Sequence, residues 1–408
     1  MKTPMLLALV LLLAACAGTP PSENAVIDTS AALSGAAILG QPVDTASLPD
    51  EDLLALTPEM RAYLATVAPD ARPQQRLAAL IRAFERREFH VEYDADSTLT
   101  ATETYLQERG NCLAFTLMMV AMARQLGADA YFNQVDVPPV WGHDEAQTFV
   151  VYRHINMVSE SSRGRRVVDF NLAAYDPIYD QYKLSDTAAF AQYYSNRGIE
   201  LMKQDQREQA FLHLRKALAL RPGDSDLWSN LGALYSRFGH QHEAEQSYRQ
   251  ALQLNAGNLV AISNLERLYR QSGRDELAEH YAQRARYHRE RNPYYLFYQA
   301  RSAYEHGEYQ QAKKQLRRAL WRYEDDHRFH FLMGLTNFRL GEVEDSRESF
   351  RAAFSLAENQ GTKNAYLRKL EYLKRSQPGT SLEDSNPVPT INVIRQQRRF
   401  GQSDMPGW

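Results

Sequence analysis

Apolar and polar positions in the first half of the chain change their spacing from one segment to the next. Apolar residues at helical spacing predict an amphipathic helix over residues 76–87. Residues 113–123 are almost entirely apolar and rich in Ala, Leu and Met, which is typical of a buried helix. Runs rich in Val, Ile, Tyr and Phe predict strands over residues 130–137, 148–158 and 165–170. Helices that precede a run of strands indicate an α+β domain.

From residue 191 the pattern repeats with a period of about 34 residues. Small residues recur where two helices of a unit approach each other, and large apolar residues recur at the seam to the next unit. The second unit shows this most fully, with Trp228, Leu231, Gly232, Tyr235, Ala244, Tyr248 and Ala251. Five units are predicted, over residues 191–224, 225–258, 259–292, 293–326 and 327–360, followed by a capping helix that contains Tyr366, Leu367, Leu370 and Leu373. The pattern resembles tetratricopeptide repeats, an all-α solenoid.

The strands over residues 148–158 and 165–170 are separated by a Ser- and Gly-containing segment that favours a hairpin. A turn centred between Ser161 and Ser162 would set His154 directly opposite Asp169. Directly opposed residues share one face of a sheet, with Cβ atoms about 5 Å apart. Tyr152 and Asn156 would flank His154 on that face.

The most informative motif is Arg109-Gly110-Asn111-Cys112, which precedes the apolar run. It places Cys112 at the N-terminus of the predicted buried helix. Unpaired backbone N–H groups and the helix dipole favour a thiolate at that position. A buried, inert cysteine is the alternative, but the downstream His154 and Asp169 favour a nucleophile.

The motif and the order Cys112, His154, Asp169 resemble the transglutaminase-like superfamily of papain-type cysteine enzymes. The resemblance implies that Cys112 attacks an amide or acyl carbonyl, that His154 activates it, and that Asp169 orients the histidine. His143, in a predicted loop, is a rival base. The backbone N–H of Cys112 is a candidate oxyanion donor, and the second donor is open, with Gln107 and Asn111 as candidates.

The N-terminus carries Lys2 followed by an apolar run from Met5 to Ala15, which is too short to span a bilayer. The run ends in Leu13-Ala14-Ala15-Cys16, which resembles the lipobox of bacterial lipoproteins. The resemblance implies that Cys16 is lipidated and becomes the mature N-terminus. Because Ala17 rather than Asp follows, it also implies an outer-membrane location facing the periplasm.

Composition adds a few limits. The formal net charge of −3 gives no electrostatic case for nucleic acid. With two cysteines in the chain and Cys16 lipidated, Cys112 has no partner for an intramolecular disulfide. No cofactor or metal site is indicated, since His240 and His242 fall in a turn without further ligands. The domain prediction is a signal peptide (1–15), a flexible tether (16–50), a transglutaminase-like domain (51–188), the repeats with their cap (189–376) and a disordered tail (377–408).

Two function classes follow. The first is a lipid-anchored cysteine hydrolase or acyltransferase whose repeat array binds a substrate or protein partner. The second is a non-catalytic envelope scaffold that acts through the repeats. In either case we expect a concave groove able to hold a peptide, with Asn230, Asn264 and Tyr298 of the first helices on its surface.

Overall fold

The computed structural model describes most of the chain between residues 27 and 371. Its described residues are 27–67, 69–86, 90–135, 153–161, 164–170 and 181–357, with 363, 366, 367 and 371. The predicted signal peptide, Cys16 and the predicted tail therefore lie outside the described residues, as do His143 and Tyr152. Among the residues that are described, no helix combines the length and the apolar character needed to cross a membrane.

The described part of the N-terminal half contains four longer helices. They are α3 (Pro58–Thr66), α4 (Pro73–Glu85), α5 (Ala101–Gln107) and α6 (Cys112–Gln125), after the short α1 (Ser30–Ser34) and α2 (Ala36–Leu39). The predicted buried helix is α6, in which every residue from Leu113 to Ala123 is buried. It ends before Gly127, whose φ of 77° reverses the chain at little steric cost.

The strands form one sheet of four and one short pair in the described part of the chain. The sheet has the antiparallel order β5-β4-β3-β6, and the pair β1-β2 is parallel. The strands are β1 (Glu92–Tyr93), β2 (Arg109–Gly110), β3 (Ala130–Val135), β4 (His154–Ser161), β5 (Gly164–Val168) and β6 (Gln181–Leu184). Strand β6 was not predicted from the sequence. Helices followed by a mainly antiparallel sheet make this half an α+β unit.

The predicted register of the hairpin was wrong by two positions. Met157 pairs with Val168 and Ser161 with Gly164, so the turn is centred between residues 162 and 163. His154 is therefore not opposite Asp169, which follows the last residue of β5; continuing the register places Asn156 there. Because the error is an even number, the alternation of faces is unchanged and His154 and Asp169 still share a face.

The predicted flexible tether was wrong for residues 27–50. Helices α1 and α2 lie against the repeats, with Ala32 and Ile38 almost completely buried. The Tyr235 hydroxyl donates a hydrogen bond of 2.7 Å to the Ala32 carbonyl, and Arg215 Nε donates one of 3.2 Å to the Leu33 carbonyl. The segment is rich in small residues, and these allow close approach to the repeat helices. We call residues 29–40 the N-terminal strap.

The second half consists of five helix pairs in the residues described. They are α7/α8 (Asp186–Lys203, Arg207–Leu220), α9/α10 (Ser225–Arg237, Gln241–Leu254), α11/α12 (Leu259–Gln271, Asp275–Arg291), α13/α14 (Pro293–Glu305, Tyr309–Arg322) and α15/α16 (His327–Arg339, Val343–Leu356). Four first helices begin at the predicted spacing, at residues 225, 259, 293 and 327. Helix α7 begins earlier, at Asp186, directly after β6.

Small residues allow the two helices of a pair to approach closely. A Cβ added to Gly232 would lie 2.6 Å from the Tyr248 ring, and one added to Gly334 would lie 2.9 Å from the Phe350 ring. Ser346, which stands where alanine is usual, donates a 2.7 Å hydrogen bond to the Gly334 carbonyl and so fits the same narrow space.

One continuous hydrophobic core joins the α+β unit to the first three repeats. It runs from Ala32 through Phe115, Phe132 and Tyr194 to Ala285. Separate apolar clusters lie in the last two repeats. The α+β unit therefore packs on the start of the array through buried apolar surface.

Candidate active site

The position of Cys112 follows from the way α6 begins. Asn111 is the N-cap, and its side-chain oxygen accepts a 3.0 Å hydrogen bond from the Ala114 N–H. The Asn111 amide donates a 2.6 Å hydrogen bond to the Thr98 hydroxyl, and the Asn111 N–H donates to the Ser97 carbonyl. Cys112 is then the first residue of the helix, a free and half-buried thiol. The loop before the helix therefore fixes where the sulfur lies.

His154 and Asp169 form a buried pair. Their Nε2 and Oδ2 atoms are 2.8 Å apart, and the two side chains are 11% and 0% exposed. The Cys112 thiol lies beside the same imidazole and raises its pKa. Because Nε2 faces Asp169, Nδ1 is the ring nitrogen left for the sulfur. The structure thus brings together the three residues that the sequence singled out.

The electrostatics of the site favour a protonated imidazole. Burial lowers the pKa of His154, but hydrogen bonds with Asp169 and Cys112 and their negative charge outweigh it and raise the pKa to about 10. The proton on His154 is therefore stabilised from both sides.

A chain of hydrogen-bonded amide side chains supports Asp169. Only Asn156 among them was predicted from the sequence. Asn156 Nδ2 donates a 3.0 Å hydrogen bond to Asp169 Oδ2. Asn133 Nδ2 in turn donates to Asn156 Oδ1 at 2.9 Å and to Gln181 Oε1 at 3.2 Å. Asn156 and Asn133 are buried, and the hydrogen bond between them gives a partner to one buried polar atom of each. Asn133 lies in the middle of β3, every residue of which is buried.

Tyr93 is a further site residue that the sequence did not reveal. Burial first, then the neighbouring Cys112, raises the pKa of its hydroxyl. Its ring stacks on Phe170 with centroids 5.7 Å apart, and Phe170 lies 4.6 Å from Phe115. The sulfur therefore has a basic neighbour, His154, and an aromatic hydroxyl neighbour, Tyr93.

Two of the residues proposed to line the site have other roles. Gln107 is exposed and accepts a hydrogen bond from Arg109 Nε; no contact between described residues joins it to Cys112. Asn111 lies beside the sulfur, but both ends of its amide are occupied by the helix cap and Thr98, so it is a structural cap. Tyr152 and the rival base His143 lie outside the described residues.

The prediction of a partner-binding surface at Asn230 and Asn264 was wrong about exposure. Asn230 is 1% and Asn264 is 3% exposed. Asn230 donates a 2.9 Å hydrogen bond to Ser195 of the preceding first helix, so this repeat position lies inside the stack of first helices. Tyr298, the equivalent position two repeats later, is half-buried, with the Arg301 guanidinium 6.0 Å from its ring centre.

Family models identify the helical array. Two models of the tetratricopeptide repeat match residues 297–359 and 213–246. The C-terminal half is therefore a tetratricopeptide-repeat solenoid, a class of array that binds other proteins. No curated protein matches the chain.

Solved structures with helical repeats are similar over about half of this chain. They include the Cut9–Hcn1 hetero-tetramer of the APC/C (16% identity, 46% of this chain and 37% of that one, TM-score 0.26). Pseudomonas aeruginosa pilF (18% identity) covers 53% of this chain and 100% of its own, with a TM-score of 0.25. MamA from Desulfovibrio magneticus RS-1 (13% identity) covers 47% and 99%, with a TM-score of 0.24.

Proposed function

We propose that the α+β unit is a transglutaminase-like cysteine hydrolase or acyltransferase acting on amide or acyl substrates, carried on a repeat array that binds a protein. The observation that supports this best is one imidazole that hydrogen-bonds Asp169 and has Cys112 as a neighbour. A histidine between a thiol and a buried carboxylate generates and orients a nucleophile.

The chemistry follows from these contacts. The thiol proton rests on His154 Nδ1, and the imidazolium is stabilised by Asp169 on the other nitrogen. The sulfur attacks the carbonyl carbon, and His154 returns the proton to the leaving amine as the C–N bond breaks. Water, or an amine in an acyl transfer, then attacks the thioester with His154 as base, and the thiolate leaves. Asn156 and Asn133 keep Asp169 in place through both steps.

Charge on the carbonyl oxygen needs donors beside the sulfur. The backbone N–H of Cys112 is one, since the first N–H groups of a helix have no partner within the helix. The Tyr93 hydroxyl, which neighbours Cys112, is the second donor in this proposal. It takes the role for which Gln107 and Asn111 were candidates.

The location of the protein is also part of the proposal. The lipobox-like Leu13-Ala14-Ala15-Cys16 supports acylation of Cys16 and attachment to the outer membrane on its periplasmic side. Mass spectrometry of the mature N-terminus should show an acylated cysteine. Cleavage at another site would contradict the anchor and leave the chemistry of Cys112 untouched.

A non-catalytic scaffold is the second candidate, and the surface of the fourth repeat favours it. Trp321 is 81% exposed, and Tyr287, at the equivalent position one repeat earlier, is 56% exposed. Helix α14 carries five Lys and Arg residues and no Asp or Glu. An exposed aromatic beside basic residues suits an acidic protein segment. In this case the repeats bind the partner and Cys112 has no catalytic role.

Labelling with an iodoacetamide–alkyne probe distinguishes the two. We expect Cys112 in the wild type to react at least about tenfold faster than a free cysteine, and His154→Ala to remove most of that advantage. Cys112→Ala should give no labelling at this site. If Cys112 reacts no faster than free cysteine and His154→Ala changes nothing, the catalytic proposal fails and the scaffold replaces it.

A further inference from the structure

The first two repeats contact both halves of the candidate site through acidic side chains. We infer that Glu200, Asp224 and Asp226 are positioning residues, which place Cys112 and His154 at reacting distance through Thr98 and Arg153. The inference rests on the proposed function, because it assigns these residues to the thiol–imidazole pair. It makes the repeat array part of the active site as well as a surface for a partner.

The first contact leads to Cys112. Glu200 belongs to α7 and is 1% exposed. Its Oε1 accepts a 2.8 Å hydrogen bond from the Thr98 N–H, and the Thr98 hydroxyl accepts from Asn111. Asn111 caps the helix that begins at Cys112. Two hydrogen bonds therefore join a carboxylate of the repeats to the cap beside the nucleophile.

Burial of the Glu200 carboxylate has a desolvation cost, which some other contact must offset. Burial raises the pKa of Glu200, while hydrogen bonds from Thr98 and Arg197 lower it. An apolar residue of similar size would avoid that desolvation cost. It would also leave the Thr98 N–H without its acceptor, and this N–H is what ties α7 to the loop before Cys112.

The second contact leads to His154. Arg153 precedes it in the chain, and its guanidinium forms paired hydrogen bonds of 3.0 Å with both carboxylate oxygens of Asp224. Arg153 Nε also donates a 3.0 Å hydrogen bond to Asp226. Asp224 is the N-cap of α9, and its side chain is only 9% exposed. A paired arginine–carboxylate contact restricts direction as well as distance, so it fixes the start of β4 against the repeats.

Both contacts join the α+β unit to the repeat array. One anchors the loop that carries the thiol and the other anchors the strand that carries the imidazole. The apolar core is continuous over this junction. A relative shift of the repeats would therefore move Cys112 and His154 against each other, and small misplacements of reacting groups reduce rates strongly.

Alkylation of Cys112 in the full-length protein tests the inference without a substrate, with modification followed by peptide mass spectrometry. We expect Glu200→Ala and Arg153→Met each to lower the rate constant about tenfold. Glu200→Gln should recover most of the loss, because its amide oxygen can still accept from the Thr98 N–H. Arg153→Lys should recover only part of the loss, because lysine keeps the charge but not the paired hydrogen bonds. Thr98→Val keeps the backbone contact but removes the acceptor for Asn111. It should lower the alkylation rate constant as much as Glu200→Ala does.

Lys203→Gln is the matched control. Lys203 lies on the same helix as Glu200 and bonds Asp96 of the same loop at 2.6 Å, but that contact is exposed and does not reach Asn111. It should leave the rate within about twofold, as surface ion pairs contribute little. Circular dichroism shows which variants are folded. If Glu200→Ala is unfolded, Thr98→Val and Arg153→Met decide the question.

The inference is overturned if folded Thr98→Val and Arg153→Met variants react at the wild-type rate. It is equally overturned if Glu200→Gln loses as much as Glu200→Ala, since the hydrogen bond to Thr98 would then not be what matters. Failure of the proposed function would give a different result: the His154→Ala variant would be alkylated at the wild-type rate.

Discussion

The α+β unit and the repeat array are stabilised in different ways. In the array the same contact recurs, with a small residue of the first helix packing against a large one of the second, as in Gly232–Tyr248 and Gly334–Phe350. In the α+β unit the contacts around Cys112 occur once each and join residues far apart in sequence. The array can therefore vary from repeat to repeat, whereas the site depends on individual side chains.

That difference has a consequence for mutations. A defect in one repeat affects that repeat and its neighbours, because solenoid stability is approximately a sum over units. A defect among Cys112, His154 and Asp169 removes contacts that no other part of the α+β unit repeats. The N-terminal strap and the acidic contacts of Glu200 and Asp224 are among the places where the two regions depend on each other.

The largest effect on stability should come from deprotonation of His154 as the pH rises. Its pKa in the folded protein is about 10, above its ordinary value of 6.5. The stability that comes from its protonation is therefore fully present below about pH 6.5 and is lost as the pH rises through about 10. We expect the advantage of the wild type over His154→Gln to shrink by on the order of 3 kcal/mol between pH 6.5 and 10. Urea unfolding of both proteins across this range measures it, and a constant difference would contradict the pair with Asp169.

A matched pair of glycines tests packing within a repeat. Gly232→Ala places a methyl group against the buried Tyr248 ring and should cost about 2.5 kcal/mol. Gly239→Ala has open space and only a strained φ of 84° to oppose it, so about 1 kcal/mol is expected. Thermal or urea unfolding compares them. Alkylation of Cys112 should be unchanged in both, and equal losses of stability would show that close helix approach is not the constraint.

The N-terminal strap should contribute to the stability of the first two repeats. Ile38→Ala removes a nearly buried side chain and should cost about 2 kcal/mol. Ala37→Ser, at a half-buried position of the same short helix, is the control and should cost little. Hydrogen exchange of α8 and α10 should increase in the first variant alone. No change in exchange would mean that the strap lies on the repeats without stabilising them.

The smallest effect on stability is expected for a change at Tyr93. The reactivity of Cys112 is measured there instead. Tyr93→Phe keeps the ring stacked on Phe170 and removes the hydroxyl beside Cys112. Stability should change by less than about 1 kcal/mol. Acylation of Cys112 by an activated ester, which develops an oxyanion, should slow by about tenfold, while alkylation by iodoacetamide, which does not, should slow little. Equal effects on the two reactions would remove Tyr93 from the oxyanion site.

Local patterns in the sequence determined the elements. The apolar run after Cys112 and the 34-residue period each depend on neighbours within a few turns of chain, so helices and repeats could be predicted from them. The hairpin shows the limit of this approach. Its turn was misplaced by one residue, yet the alternation of faces kept His154 and Asp169 together because the resulting shift in pairing was two positions.

Tertiary packing decided what the sequence left open. Asn133 and Tyr93 join the site only because β3 and β1 lie beside β4 and α6, and nothing near them in sequence indicates Asp169 or Cys112. The same holds for the burial of Asn230, for the ordered strap before residue 50, and for the contacts from Glu200 and Asp224. Each pairs groups separated by tens to hundreds of positions. The energy of such contacts depends on distance and burial in space, which a periodic pattern along the chain does not contain.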